Sequence, residues 1–239
     1  MLMLSLDASS QAATAALLSD GALLCEYTQN QPKTQSVKLL PMIEQMLADC
    51  ALSLSDVDVF ACGVGPGSFT GVRIGVATAR GFAKTLDKPC VAVNSLSALA
   101  MSASHFNGTV YALIFAREHE CYCAAFENGT QILPPCVMTV EEIASHAKDR
   151  PCLLVGDGAV CNADYWKAAL PGATFATGKM NMLSAASLGE VAYNMALAGK
   201  TCSCEGLIPL YLRKSQAERE YEAKHSQDKV QLDSNTIWF

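Results

Sequence analysis

The sequence predicts an α/β fold of two duplicated lobes, each a mixed sheet with flanking helices. Three observations lead there. Hydrophobic residues make up 51% of the 239 positions and charged residues 17%, the balance of a globular chain with a substantial core. Groups of three short apolar stretches occur at two places, each followed by a helical pattern and one more apolar stretch. Each of those last stretches runs into a glycine turn, "GPGS" and "GDGA". Two runs of strand, strand, strand, helix, strand and glycine turn in one order indicate duplication.

The elements follow in order. Leu2–Leu6, Ala12–Leu18 and Ala22–Tyr27 read as strands joined by the tight turns "DASSQ" and "SDG", because apolar runs bounded by small polar residues and glycine mark strand ends. Ser36–Cys50 carries apolar residues at helical spacing, and Val57–Val64 is an apolar strand. Thr70–Leu86 is the helix after "GPGS". The second set is Val110–Phe115, Cys121–Phe126 and Gln131–Met138, turned by "AREHE" and "ENGT", then the helix Val140–Ala147 and the strand Cys152–Val155. A last helix, Leu183–Ala198, is predicted to pack back on the first lobe. The lobes are therefore 1–104, completed by 183–214, and 105–182. Residues 215–239 read as a polar tail ending in "TIWF".

Composition excludes several functions. Seventeen basic residues against 23 acidic ones give a net charge of −6, so the chain is not expected to hold nucleic acid alone, since that affinity comes from Lys and Arg. The start, "MLMLSLDASS", lacks a basic region and reaches Asp7 at once, which reads as a strand and not a signal peptide. Pro89–Ala116 has no charged residue, but polar residues interrupt it before the roughly 20 apolar positions a membrane span needs. A cytoplasmic location and no membrane association follow. Eleven cysteines, two pairs of them as Cys121/Cys123 and Cys202/Cys204, read as core and surface thiols, because structural zinc sites space cysteines by about two to four residues.

Nucleophilic, metal and common nucleotide motifs are missing. "GVGPGSFTGVRIGVATARGFA", Gly63–Ala83, has no lysine where a Walker loop needs it, and Thr70 stands where a third dinucleotide-binding glycine would fall. His105, His119, His146 and His225 form no i, i+4 pair, and Ser68 does not sit in a G-x-S-x-G elbow. The helix itself is more informative. Gly71, Gly75, Ala79 and Ala83 fall four apart and leave a ridge with almost no side chain, although each glycine weakens a helix by roughly 1 kcal/mol against alanine. Val72 and Val76 run beside the ridge, with Arg73, Arg80 and Lys84 as a basic edge. The preceding helix offers Leu39, Leu40, Ile43, Met46 and Leu47, more apolar positions than one buried face needs. A bare ridge admits a second helix closely. Together with Phe69 at the helix start, these two helices are expected to face a partner chain.

The stretches "LSLDASS", "GVGPGSFTGVRIGVATARGFA", "GDGA" and "PLYLRK" together resemble the TsaB family of bacterial threonylcarbamoyladenosine-biosynthesis proteins, over about residues 1–214. The resemblance implies the two-lobed actin/Hsp70-like (ASKHA) fold. It implies an enzymatically inactive scaffold and activator that works with TsaD and the ATPase TsaE. Those proteins transfer threonylcarbamoyl from threonylcarbamoyl-adenylate to the anticodon-adjacent adenosine of tRNAs reading ANN codons. It also implies homodimers through the glycine-rich helix and the helix before it, a surface shared with TsaD, so that tRNA is met only through the complex. Metal is not expected, and no cofactor is expected on the chain alone, with ATP or ADP placed at the TsaD interface.

In actin-like ATPases an acidic residue at the end of the first strand, with small neighbours, holds metal and phosphate. Asp7, Ser9, Gly65, Gly67 and Ser68 occupy that place, and Gly156 and Gly158 the place near an adenine. The second lobe breaks the pattern, with Phe115-Ala116-Arg117 where the family has Asp-Ala-Arg and no phosphate-cradling glycine. The family's His-Ser before the first helix is Gln35-Ser36 here. Half of the phosphate clamp is missing, so the alternatives, a peptidase-like enzyme or an autonomous ATP-dependent kinase, are disfavoured.

Overall fold

A computed structural model of the chain describes residues 1–31 and 35–213. The side chains of Gln35 and Ser36, Lys214 of "PLYLRK", His225 and the tail 215–239 lie outside the described residues.

The first sheet is built from β1 (Leu2–Asp7), β2 (Ala13–Ser19), β3 (Ala22–Gln29), β4 (Val59–Gly63) and β5 (Cys90–Val93) in the order β3-β2-β1-β4-β5. Strands β1 to β3 form an antiparallel meander, and β4 and β5 add in parallel. Between them run α1 (Gln35–Asp49) and α2 (Phe69–Leu86), and α3 (Ser95–Met101) follows β5. The second sheet repeats the plan. It comprises β6 (Thr109–Arg117), β7 (Glu120–Glu127), β8 (Thr130–Thr139), β9 (Cys152–Val155) and β10 (Thr174–Phe175) in the order β10-β9-β6-β7-β8. Its helices are α4 (Val140–Ala147), α5 (Asp157–Cys161) and α6 (Ala163–Ala169). The duplication read from the sequence is thus present as identical connectivity.

Strand periodicity sorts side chains into three cores. Leu4, Leu6, Phe60 and Cys62 point to the face covered by α1 and α2. Met3, Val59 and Ala61 point the other way and share a core with Val110, Ala112 and Ile114 of β6. Tyr111, Leu113, Cys121 and Cys123 face α4 to α6. The central core also holds α3 and α7 (Ala185–Leu197), so α3 and α7 are sandwiched between the sheets. Gly189 is what lets α7 lie on the first sheet, because a Cβ there would stand 2.3 Å from Leu18 Cδ1.

Local chemistry fixes the ends. Ser68 caps α2 by accepting from the Gly71 amide, and Thr139 with Glu142 forms a capping box on α4. The N-terminus of α7 receives Ser184 and the Glu26 carboxylate, whose Oε1 accepts from Ser184 Oγ at 2.7 Å and the Ala186 amide at 3.0 Å. The charge-free stretch Pro89–Ala116 resolves into β5, α3 and β6. No described helix is long and apolar enough to cross a membrane. Elements absent from the sequence reading are β5, α3, α5, α6 and β10.

Candidate functional site

The loops at the carboxyl ends of β1 and β4 form the place where the sequence suggested phosphate contacts. Asp7 is fully buried. Its Oδ1 accepts from the Ser9 amide at 2.7 Å and Ser9 Oγ at 2.8 Å, and Oδ2 accepts from Ser95 Oγ at 3.3 Å. Burial pushes its carboxyl up, against the Ser9 hydroxyl, the Ser9 amide and the Ser95 hydroxyl. The carboxylate lies directly on β4, since a Cβ on Gly63 would stand 1.7 Å from Oδ2. The glycine loop closes on the same turn. The Ser68 amide donates to Ser9 O at 2.7 Å, and a Cβ on Gly67 would stand 2.4 Å from that oxygen. Gly65, at φ +100, faces Leu210 O, 2.9 Å from its would-be Cβ. Asp7, Ser9, Gly65, Gly67 and Ser68 are therefore brought together, but onto one another.

Gly156 and Gly158 are explained by packing. A Cβ on Gly156 would meet Leu113 O at 2.1 Å, and one on Gly158 would meet Cys121 Sγ at 2.9 Å. They allow α5 to lie on β6. A cleft of about 280 Å³ does separate the lobes, between Ser10, Gln11 and Ala12 on one side and Asp157, Val160 and Cys161 on the other. Leu99, Ile114 and Leu183 form its apolar floor, and no lysine, arginine or histidine is among its described walls. Asp157, overlooked beside the two glycines of "GDGA", is the carboxylate there. Its Oδ1 accepts from the Phe115 amide at 2.8 Å. Desolvation pushes its carboxyl up, against the backbone amides of Phe115, Gly158 and Asp157 itself. The loop that would meet a phosphate chain is filled by its own contacts, and the cleft beside it offers no described cation, so these residues do not fit a phosphate chain.

The expected partner face requires correction. Gly71, Val72, Gly75, Val76 and Ala79 of α2 and Leu39, Ile43, Met46 and Leu47 of α1 are buried in the chain's own core. The bare ridge faces β1 and the turn after it: a Cβ on Gly71 would stand 1.9 Å from Ala8 O, and one on Gly75 would sit 3.6 Å from Leu6 Cδ1. A sheet, and not a partner helix, is what the ridge admits. The surplus apolar positions of α1 serve β2, β3 and α2 at once. What remains on the surface is Leu40, half-buried Phe69, Arg73 and Arg80. Sequence reasoning missed Val37, 72% exposed, and Ile208, 67% exposed. It also missed Tyr211, which stacks on Phe69 with centroids 4.6 Å apart and accepts from Arg73 Nε at 2.8 Å. Tyr211 comes from the segment after α7. Backbone bonds of Cys202 to Cys90 and of Leu210 to Val64 O hold that segment to the first sheet.

Among the other candidates, Cys121 and Cys123 share one face of β7 and pack in the second lobe's core. His146 Nδ1 is paired with the Tyr111 hydroxyl at 2.7 Å.

Comparison with known proteins places this geometry. A family model described as "TsaD: tRNA N6-adenosine threonylcarbamoyltransferase" matches residues 23–221. The "tRNA threonylcarbamoyladenosine biosynthesis protein TsaB" of Bacillus subtilis is 31% identical over 92% of this chain and 98% of its own length. The protein of the same name from Escherichia coli is 30% identical over 94% of this chain and its full length. The chain belongs to the TsaB family. The solved "YeaZ from Pseudomonas aeruginosa" is 29% identical and superposes with a TM-score of 0.74, over 88% of this chain and 99% of that one. A ROK hexokinase from Thermus thermophilus, 14% identical with a TM-score of 0.50 over 83% of this chain and all of its own, shares the fold alone. The two lobes are therefore actin/Hsp70-like, in agreement with the duplicated sheets.

Proposed function

We propose that this TsaB-family chain is a non-catalytic subunit in tRNA threonylcarbamoyladenosine biosynthesis. In this reading it binds TsaD, with TsaE, in the cytoplasm and activates transfer of threonylcarbamoyl to the anticodon-adjacent adenosine of ANN-reading tRNAs. The names of the relatives support the pathway. The observation that carries the scaffold role is the closed phosphate loop: Ser68 donates to Ser9 O, and the Asp7 carboxylate is consumed by Ser9 and Ser95. With that loop filled, ATP or ADP belongs at a surface shared with TsaD and not in this chain's own cleft. The surface proposed for TsaD, and for a homodimer that competes with it, is the outer face of α1 and α2. There Val37, Leu40, Phe69, Arg73 and Tyr211 combine exposed apolar area with an aromatic and arginine cluster of the kind that anchors interfaces.

Reconstitution tests this. Purified TsaD and TsaE, supplied with threonylcarbamoyl-adenylate and an ANN-reading tRNA, should form modified adenosine only when this chain is added. The chain alone should form none. Leu40→Asp, at a half-exposed position, should leave folding intact and cut TsaD affinity and product together by about tenfold or more, equivalent to roughly 1.4 kcal/mol. Product formation by the chain without TsaD would refute the reading, as would full TsaD activity in its absence.

A further inference from the structure

The eleven cysteines sit in different chemical settings, and one pair stands apart. Cys62, Cys90, Cys121, Cys123 and Cys152 are buried. Cys90 faces half-buried Cys202 across a backbone bridge, but burial pushes its thiol up to about 12, so almost no thiolate exists there near neutrality. Cys136 turns its thiol toward the Cys123 carbonyl. The neighbouring Glu205 carboxylate pushes the Cys204 thiol up. Cys161 is exposed at the cleft.

Cys25 and Cys50 differ from all of these. Cys25 lies on β3 and Cys50 directly follows α1, both half-buried with access to solvent. Burial and then the neighbouring Cys50 thiol push the Cys25 thiol up, as two side chains set beside each other do. The two elements are pinned beside the pair, because the Tyr27 hydroxyl donates to the Asp49 carboxylate and Gln45 Nε2 donates to Asp49 Oδ1 at 2.8 Å. Tyr27 is two residues past Cys25 on the same strand face, and Asp49 precedes Cys50. Both sulfurs also rest against the core under α1. The fold therefore pins two half-buried thiols as neighbours across a tertiary seam, the arrangement that favours ring closure over two separate adducts.

We propose that Cys25 and Cys50 form a dithiol modification site that reacts with a low-molecular-weight disulfide to give an intramolecular Cys25–Cys50 disulfide. In the first exchange one cysteine, deprotonated, attacks a sulfur of the small disulfide. That S–S bond breaks, one small thiol leaves with a proton, and a mixed disulfide remains. The second cysteine then gives up its proton and attacks the protein-bound sulfur, releasing the second small thiol. Two cysteine thiols are oxidised and one disulfide is reduced to two thiols. The product ties β3 to the C-terminal end of α1.

The test uses the full chain and glutathione disulfide. Folded protein is incubated with it near neutral pH, alkylated, digested without reductant and mapped by mass spectrometry, with free thiols counted in parallel. The expected result is a linked peptide pair joining Cys25 to Cys50 and bound glutathione on exposed Cys161, whose neighbouring thiol, Cys121, is buried with its pKa pushed up to about 12. Dithiothreitol should reverse both. Cys50→Ser should abolish the link and leave a stable glutathione adduct on Cys25, and Cys25→Ser should do the reverse. Separate adducts on Cys25 and Cys50 in the unsubstituted chain would overturn the proposal. So would unmodified Cys25 and Cys50 while Cys161 reacts, or linkage of either to a different cysteine.

Discussion

Three glycines on one helix separate the two explanations of the α2 ridge. An alanine at Gly71 would place its methyl 1.9 Å from Ala8 O and 2.9 Å from Ala8 C, both backbone atoms. No side chain can move aside, so α2 must retreat from the turn after β1. Overpacking of this kind costs about 1–3 kcal/mol, occasionally more, and the better helix propensity of alanine returns roughly 1 kcal/mol. At Gly75 the methyl would meet Cys62 Sγ and Leu6 Cδ1 at 3.6 Å and Ala8 N at 3.7 Å, all ordinary contact. At exposed Gly81 it would meet nothing within 4 Å. The expected order of stability is therefore Gly81→Ala above the unsubstituted chain by up to about 1 kcal/mol, Gly75→Ala equal to it or slightly above, and Gly71→Ala, whose 1.9 Å clash with backbone takes the upper part of the overpacking range, below it by roughly 1–2 kcal/mol. In a chain of this size each kcal/mol moves the thermal midpoint by about 2–4 °C. Circular-dichroism melts at two protein concentrations read both stability and self-association. A Gly71→Ala midpoint within about a degree of the unsubstituted chain would refute the packing argument. Equal damage at Gly75 and Gly71 would do so too, and loss of a dimer by Gly75→Ala at unchanged monomer stability would restore the partner-helix reading. Gly75→Glu is no probe of an interface, because it would bury a carboxylate in the core.

Two further predictions concern carboxylates of the first lobe, buried Asp7 and half-buried Glu26. Burial raises the Asp7 carboxyl in the folded chain, so the native state binds that proton more tightly than the unfolded one, and the associated stability is lost as pH rises through the raised value. Asp7→Asn keeps an acceptor for Ser9 and a donor for Ser95; the difference in urea midpoint between the two proteins should widen in favour of Asn as pH rises, and a flat difference would contradict the assignment. Glu26→Ala removes the acceptor for Ser184 Oγ and the Ala186 amide, which should cost about 0.5–2 kcal/mol by denaturant titration, with most of it restored by Glu26→Gln.

The sequence disclosed the parts of the fold that turn signals bound. Strands β1, β2, β6 and β7 are apolar runs buried on both faces, so it is the glycine or small polar residues between them that give the meanders away, and α4 announces itself by Thr139 and Glu142. The stretch after α2 was opaque for a physical reason. Helix α3 is buried between the sheets, with Leu96, Ala98, Leu99 and Ala100 all inside, so it shows no polar face and its period vanishes. The candidate site was less legible still. A spacing of four among Gly71, Gly75 and Ala79 states that one face of α2 is bare, but nothing in the spacing states what covers it. The glycines of "GDGA" likewise signalled a close approach without revealing that the neighbour is β6, and they drew attention from Asp157 between them.

The duplicated design makes the closure of the site more than an accident of one loop. In the first lobe the turn after β4 meets the turn after β1 through the Ser68 amide and Ser9 O. In the second lobe the turn after β9 meets the end of β6 through Asp157 and the Phe115 amide. These are equivalent positions, because β4 and β9, like β1 and β6, hold the same places in their sheets. One lobe seals the gap with a backbone bond, and the other does so with a side chain where the aspartate of the family pattern is absent. Gly63 and Gly67 on one side, and Gly156 and Gly158 on the other, each lack the Cβ that would force those contacts apart. Two unrelated bonds reaching one closed arrangement argue that both halves of the ancestral clamp are occupied by the chain itself. The partner contact proposed above then falls to the surface outside the cleft, where Arg73 and Phe69 hold Tyr211 in place at the start of α2.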